Sequence, residues 1–207
     1  MAKQLAFYFD ASACSNCKAC QIACQDKNGL APELRWRRVL QYGGGSWVTK
    51  GNVMIPNNVF TYSISFACMH CEKPLCAEVC PTAAISKRAD GVVLIDPNQC
   101  IGCRYCEWAC PYGAPQFNQA LGVMTKCTFC QDLLAQNQNP ACVDACAMRC
   151  LHFGELSELR AKYGNVDAIE PLPASRLTKP ALVITPHKHA QFSGKGTGKI
   201  LNLPEEL

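Results

Sequence analysis

No stretch of this sequence reaches the roughly 18 consecutive apolar residues of a bilayer-spanning helix, so no part of its 207 residues is expected to cross a membrane directly. The opening MAKQLAFYFD holds too short an apolar run for the core of a secretion signal and reads instead as a strand entering a loop. Histidine is scarce, with four residues. No nucleophile–base pair, phosphate-binding loop or carboxylate dyad emerges along the chain, so substrate chemistry is expected to occur elsewhere. Aliphatic core material is also short, because the 49% hydrophobic share is inflated by cysteine.

Cysteine is what the chain has in excess. Sixteen of its 17 cysteines fall into four groups of four. Group one is Cys14, Cys17, Cys20 and Cys24; group two is Cys68, Cys71, Cys76 and Cys80, followed by Pro81. Group three is Cys100, Cys103, Cys106 and Cys110, followed by Pro111; group four is Cys127, Cys130, Cys142 and Cys146. Zinc sites use separated C-x2-4-C pairs or add histidines, and one zinc ion makes poor use of three cysteines at two-residue gaps plus a trailing fourth. Disulfide frameworks belong to short secreted domains. Iron–sulfur cubanes need four soft thiolates, and a C-x2-C-x2-C loop wraps three of them around one cluster face with its amides aimed at the sulfurs. In paired-cluster ferredoxins the trailing cysteine is turned away by a helical turn and reaches the neighbouring cluster. Four [4Fe–4S] clusters are therefore expected, and the chain is read as a carrier of electrons.

That reading changes the meaning of the charge. The formal net charge is +4, but a cubane with four thiolates carries roughly −2, so four of them add on the order of −8. Basicity is thus no argument for nucleic acid, and none is expected as a partner. Lys18, Lys73, Arg104 and Lys126 lie within two residues of cysteines, where a cation favours cluster reduction; ordinary solvated charges are the alternative.

Repetition is clearest in the middle of the chain, where Cys80-Pro81 and Cys110-Pro111 are parallel endings. Asp90-Gly91, between short β-prone runs, predicts a hairpin, and Ala77–Val79 and Glu107–Ala109 each suit a single helical turn. Gly43-Gly44-Gly45 reads as a turn, Val59–Phe66 as a strand entering group two, and Leu156–Tyr163 as a short amphipathic helix. From Pro171 onward, prolines and glycines predict an extended arm that packs into no domain and orders against a partner, a partly disordered terminus without a role being the alternative. The fold class is then α+β: two bacterial-type two-cluster ferredoxin-like modules with an insert and an extended C-terminal arm. Residues 1–66 and 121–170 form the expected outer module, with an insert at 25–66; residues 67–120 form the inner module and 171–207 the arm.

The four groups, with Cys100-Ile-Gly-Cys-Arg-Tyr-Cys106 and Cys110-Pro-Tyr-Gly-Ala-Pro115, resemble the iron–sulfur (B) subunit of the complex iron–sulfur molybdoenzymes, the dimethyl sulfoxide reductase type above all. Arg37-Arg38, Tyr42-Gly43-Gly44, Asn57–Phe60, Met124–Cys127, Leu172-Pro173 and Thr178–Pro180 extend the likeness over nearly the whole chain. The resemblance implies four ligand sets: Cys14, Cys17 and Cys20 with Cys146; Cys127, Cys130 and Cys142 with Cys24; Cys100, Cys103 and Cys106 with Cys80; Cys68, Cys71 and Cys76 with Cys110. It implies a group-one cluster facing a molybdopterin catalytic subunit, a group-two cluster facing an integral-membrane quinol-binding anchor, and the spatial order one, four, three, two. A non-catalytic electron-transfer subunit, membrane-associated through those partners on a face left open, follows from it. Where some relatives lose the second cysteine of group three and hold a [3Fe–4S] centre, this chain keeps Cys103. Ala147 stands where a proline often follows the last cysteine of group four.

The same wire could serve polysulfide, thiosulfate, tetrathionate or arsenate reduction, or formate oxidation, and a free soluble polyferredoxin is a third reading. Cys150 is the odd cysteine out, read as a small buried residue against a spare ligand or redox thiol. His70 is read as structural or as tuning a cluster by hydrogen bonding. His187 and His189 are expected to bind no metal, and Trp36, Trp47 and Trp108 to serve packing or interfaces.

Overall fold

The computed structural model describes residues 3–206; residues 1–2 and 207, the outer limits of the expected first module and arm, lie outside the described residues. The chain opens with β1 (Leu5–Asp10), passes group one, and forms α1 (Ala19–Lys27). Two long strands follow, β2 (Arg38–Lys50) and β3 (Val53–Phe66). The inner segment then repeats one unit twice. Group two leads into the one-turn α2 (Leu75–Glu78) and the hairpin β4 (Ile85–Lys87) and β5 (Val93–Ile95). Group three leads into α3 (Tyr105–Ala109) and the hairpin β6 (Gln116–Asn118) and β7 (Val123–Thr125). Group four carries α4 (Gln131–Leu134) and α5 (Ala141–Asp144), then β8 (Leu151–Glu155) and α6 (Leu156–Tyr163). In the arm lie β9 (Leu182–Thr185), β10 (Lys199–Ile200) and α7 (Leu203–Glu206). Small sheets, short helices and a twice-repeated loop–turn–hairpin unit make this the expected α+β ferredoxin-like architecture.

The alternation of β1 sets the core. Strand β1 is central in the sheet β8-β1-β9, antiparallel to β8 and parallel to β9. Phe7 and Phe9 point to one face, where Phe7 stacks on Phe129 at 4.2 Å between ring centroids and the cysteines of groups one and four gather. Ala6 and Tyr8 point to the other, against Leu156 and Leu159 of α6. Burial on both sides explains why the strand is apolar at nearly every position.

Two expectations about the connecting segments change. Gly43–Gly45 is not a turn: it lies inside β2, whose chain reversal comes at Gly51-Asn52, and the pairing with β3 slips at a bulge between Gly44 and Ser46. The glycines serve close approach. A Cβ on Gly44 would meet Gly198 Cα at 3.0 Å, and Gly45, at φ +122, would meet the backbone of Val59 at 2.6 Å. The arm is extended, yet it orders against the protein's own body rather than waiting for a partner. Val183 and Ile184 are fully buried beside β1, β10 pairs with β2, and buried Asn202 accepts from Gln41 N–H at 2.8 Å while donating to the Val39 carbonyl at 2.9 Å. A short apolar run, Ala181–Ile184, is enough to override the proline and glycine around it.

Candidate metal centres

Local backbone shape repeats in the four cysteine loops. The residue just before the second cysteine of each group is left-handed: Asn16 (φ 59), His70 (φ 41), Gly102 (φ 68) and Phe129 (φ 59). Asn, His and Gly tolerate that region, but Phe rarely enters it, so Phe129 is held there by its surroundings. Three residues after the last cysteine, Ala83, Gly113 and Arg149 are left-handed again in groups two, three and four. Group one differs because α1 continues through Cys24 to Lys27. Such turns aim amides inward: Phe129 N–H donates to Cys127 Sγ (3.4 Å) and Ala114 N–H to Cys110 Sγ (3.5 Å), while strand β7 adds Met124 N–H to Cys100 Sγ (3.3 Å).

The cysteines gather in four neighbourhoods. Cys14, Cys17, Cys20 and Cys146 line one cavity, with Cys150 beside them. Cys80, Cys100, Cys103 and Cys106 line another. Cys24 lies near Cys130 and Cys142, and Cys127 near Cys24 and Cys142. Cys76 has Cys68, Cys110 and Cys71 around it. Among the described residues no three His, Cys, Asp or Glu side chains converge as a single ion requires; four thiols around a wider space suit a cubane, whose ligands stand at the corners of a larger cage.

The order of these neighbourhoods departs from the expected one. Cys68 and Cys127 share a small core with Ala67 and Ala114, and Cys68 raises the Cys127 thiol. Cys76 packs instead toward Cys80, Cys100 and Cys106. Group four therefore abuts group two, group two abuts group three, and the order is one, four, two, three. Chain continuity is the reason. Ser65, near the end of β3, sits 3.2 Å from Cys20 Sγ, and Cys68 follows three residues later, so group two stays beside the outer module.

Burial, the leading influence on these thiols, pushes Cys24, Cys71 and Cys76 up to about 12 and Cys106 to about 11. Cys80 runs the other way: burial raises it, but hydrogen bonds from Thr82 and backbone amides outweigh that and bring it down. Thiols this buried stay protonated at neutral pH, and metal that binds them displaces protons.

Arg37 supplies the sharpest test of fit. It is 2% exposed, its guanidinium lies 4.7 Å from the Phe7 ring centroid, and Nη1 donates to Ser65 Oγ at 3.1 Å. Among the described residues Nε and Nη2 are buried with no oxygen or nitrogen partner, the Cys142 sulfur is the acceptor that faces the guanidinium, and the charges acting on it are cysteine sulfurs rather than carboxylates. Burial works against its charge, yet the sulfurs of Cys142, Cys20, Cys127 and Cys24 outweigh that and raise its pKa. An unpaired buried guanidinium is costly. Anionic clusters in the group-one and group-four neighbourhoods would remove that cost, so the residues fit the group. Sequence reasoning missed this role, because only folding brings Arg37 between cysteines remote from it in the chain.

The other basic residues are less involved. Lys18 bridges to Glu205 and Glu206 at 2.6 and 2.8 Å, clamping α7 to the group-one loop. Arg104 pairs with Glu107 three residues on, and the Lys73 amide donates to the Thr178 carbonyl at 2.9 Å. Lys126 alone is buried, with Nζ on the carbonyls of Val93 and Cys127. Fully buried His70 accepts the Val93 amide on Nδ1 at 3.1 Å, and burial holds it neutral. His187 and His189 pack on Tyr62 and Phe60. Trp36 packs beside Cys68 and Cys127 and donates to Thr125 Oγ1 at 3.3 Å, while Trp47 and Trp108 are 63% and 74% exposed.

Residues 59–156 match the family model for the 4Fe-4S dicluster domain. The sequence is 46% identical over 207 residues, the full length of both proteins, to the B subunit of the anaerobic dimethyl sulfoxide reductase of Escherichia coli K12. It is 45% identical over 205 residues to that of Haemophilus influenzae, covering 99% of this protein and all of the relative. Similarity extends to the B subunit of the polysulfide reductase of Wolinella succinogenes, 37% identical over 193 residues, 91% of this protein and 97% of the relative. With the four cysteine neighbourhoods and a buried cation facing them, these likenesses show that the protein belongs to the family of dimethyl sulfoxide reductase B subunits, which are iron–sulfur electron-transfer subunits.

Proposed function

We propose that this chain holds four [4Fe–4S] clusters in a row and relays electrons between a membrane quinol-oxidising anchor and a molybdopterin catalytic subunit reducing an S- or N-oxide. Its own part is non-catalytic, and it meets the membrane through those partners. Among the described residues no helix is long and apolar enough to cross a membrane. The ligand sets we assign are Cys14, Cys17, Cys20 and Cys146; Cys24, Cys127, Cys130 and Cys142; Cys68, Cys71, Cys76 and Cys110; Cys80, Cys100, Cys103 and Cys106. The observation that carries the assignment is the gathering of the cysteines into those neighbourhoods, each drawing its fourth member from another group. The β6-β7 hairpin crosses the expected boundary at residue 120, so residues 67–125 serve as inner module, 1–66 with 126–170 as outer module, and 171–207 as an arm whose β9 joins the outer sheet.

Bound there, the clusters supply one-electron chemistry. The protein supplies spacing, inward amides, exclusion of water from buried sulfurs and the Arg37 charge between two sets. Group three replaces group two at the far end, facing the anchor. Around it Ile101, Tyr105, Trp108 and Leu121 are exposed, an apolar rim suited to burial against a partner and unsuited to a freely diffusing carrier. The full-length likeness to the B subunits of dimethyl sulfoxide reductases favours an S- or N-oxide over polysulfide.

Native purification with metal analysis tests the reading. About 16 iron atoms per chain are expected, four for each of four cysteine-bound cubanes, together with molybdenum and two co-purifying subunits; a monomer carrying zinc would overturn it. The crossed ligation has its own signature. Cys110→Ser is expected to alter the same paramagnetic signal as Cys68→Ser and leave the signal altered by Cys103→Ser untouched.

A further inference from the structure

Cys150 is the one cysteine outside the four groups, yet it lies at the group-one site. It follows Cys146 by four residues, is 4% exposed, and lines the cavity that Cys14, Cys17, Cys20 and Cys146 share. Its Sγ stands 3.5 Å from Cys146 Sγ, within the range of a sulfur–sulfur hydrogen bond and far beyond a covalent one. The left-handed Arg149, whose N–H returns to the Cys146 carbonyl at 3.1 Å, turns the chain so that residue 150 faces back toward Cys146. Leu151, next in sequence, is locked into β8 against Phe9 of β1. The position of the fifth sulfur is thus fixed by the backbone on both sides.

We propose that the Cys150 thiol donates a hydrogen bond to the Cys146 thiolate and so tunes the group-one cluster as a positioning residue, without ligating iron. The inference rests on the ligand set proposed for group one. With Cys146 and Cys14, the second sulfur within its reach, both metal-bound thiolates, only Cys150 has a proton to give. A donor on a ligand sulfur lessens the electron density that the sulfur gives to iron and favours the reduced state. Among the four sets, the one at this end of the row alone has such a thiol, so its potential stands higher than amide hydrogen bonds alone would place it.

Redox titration of the complete native complex, followed by paramagnetic resonance, tests this. The group-one signal is the one that Cys17→Ser alters; if no such signal exists in the unsubstituted protein, the ligand assignment fails rather than this proposal. Cys150→Ala is expected to lower that midpoint alone, by about threefold to tenfold in the reduction equilibrium, where tenfold is 59 mV for one electron. Cys150→Ser keeps a donor and is expected to recover most of the shift. An unmoved midpoint in Cys150→Ala, or equal shifts in both variants, overturns the proposal. Loss of the signal with about four irons per chain makes Cys150 a ligand and overturns it too. Should Cys150→Ala fail to fold, the native protein and Cys150→Ser decide. An exchangeable-proton coupling on the group-one signal is expected in both, and its absence from the native protein overturns the proposal.

Discussion

Replacing Arg37 by methionine is expected to lower the midpoints of two clusters, those of groups one and four, and to leave the other two unmoved. The guanidinium is the charge that Cys20, Cys24, Cys127 and Cys142 all face, and each reduction adds one negative charge beside it. At an effective dielectric near 20, a unit charge about 6 to 8 Å away is worth about 2 to 3 kcal/mol. One and a half to two decades in the reduction equilibrium correspond, at 59 mV per decade, to about 90 to 120 mV. Methionine keeps the stem's contact with Phe7 and Ser65 in volume but carries no charge, so a shift confined to two signals separates electrostatics from packing. Four unchanged midpoints would mean that the charge is balanced by something other than the clusters.

Removal of iron is expected to unfold the inner module first. Its sheets are the two-stranded β4-β5 and β6-β7, and isolated two-stranded hairpins are marginal in water. Its core beyond cysteine is thin: Ile85, Val93 and Met124 carry most of it. The outer module keeps the three-stranded β8-β1-β9 sheet, to which the arm contributes β9, with α6 laid across it, where Tyr8 stacks on Tyr163 at 3.7 Å between centroids. Metal ligation therefore holds the inner module together, as in other small metal domains. Hydrogen exchange during anaerobic chelation should show residues 67–125 losing protection while β1, β8, β9 and α6 retain it. Simultaneous loss across both modules would show instead that the metal sites hold the whole chain as one cooperative unit.

What could be read from the sequence was local. Ligand spacing, the one-turn helices after the third cysteines, the hairpin at Asp90-Gly91 and the helix Leu156–Tyr163 each depend on residues a few positions apart. The order of the groups was not legible, because exchanged fourth cysteines tie group two to group three whichever of them touches group four. Contact between Cys68 and Cys127 settles that, and it depends on where β3 ends. Gly43–Gly45 misled because glycine marks both turns and close approach; the partner that comes close, Gly198, lies at the other end of the chain. The arm misled for a similar reason, since its composition gives no sign that Leu182–Thr185 completes the sheet begun by β1.

That parallel pairing, with Phe7 opposite Leu182, has a consequence for biosynthesis. A ribosome adding about 5 to 20 residues per second makes Cys14 on the order of 10 s before Cys146, and the strand that flanks β1 emerges later still. Residues 68–110, by contrast, are complete well before the polypeptide leaves the ribosome. A nascent polypeptide can thus receive iron and sulfide at its middle while its earliest thiols still lack their fourth neighbour. Machinery that loads the cysteines of group one must either act after release or shield them until Cys146 and then β9 have arrived.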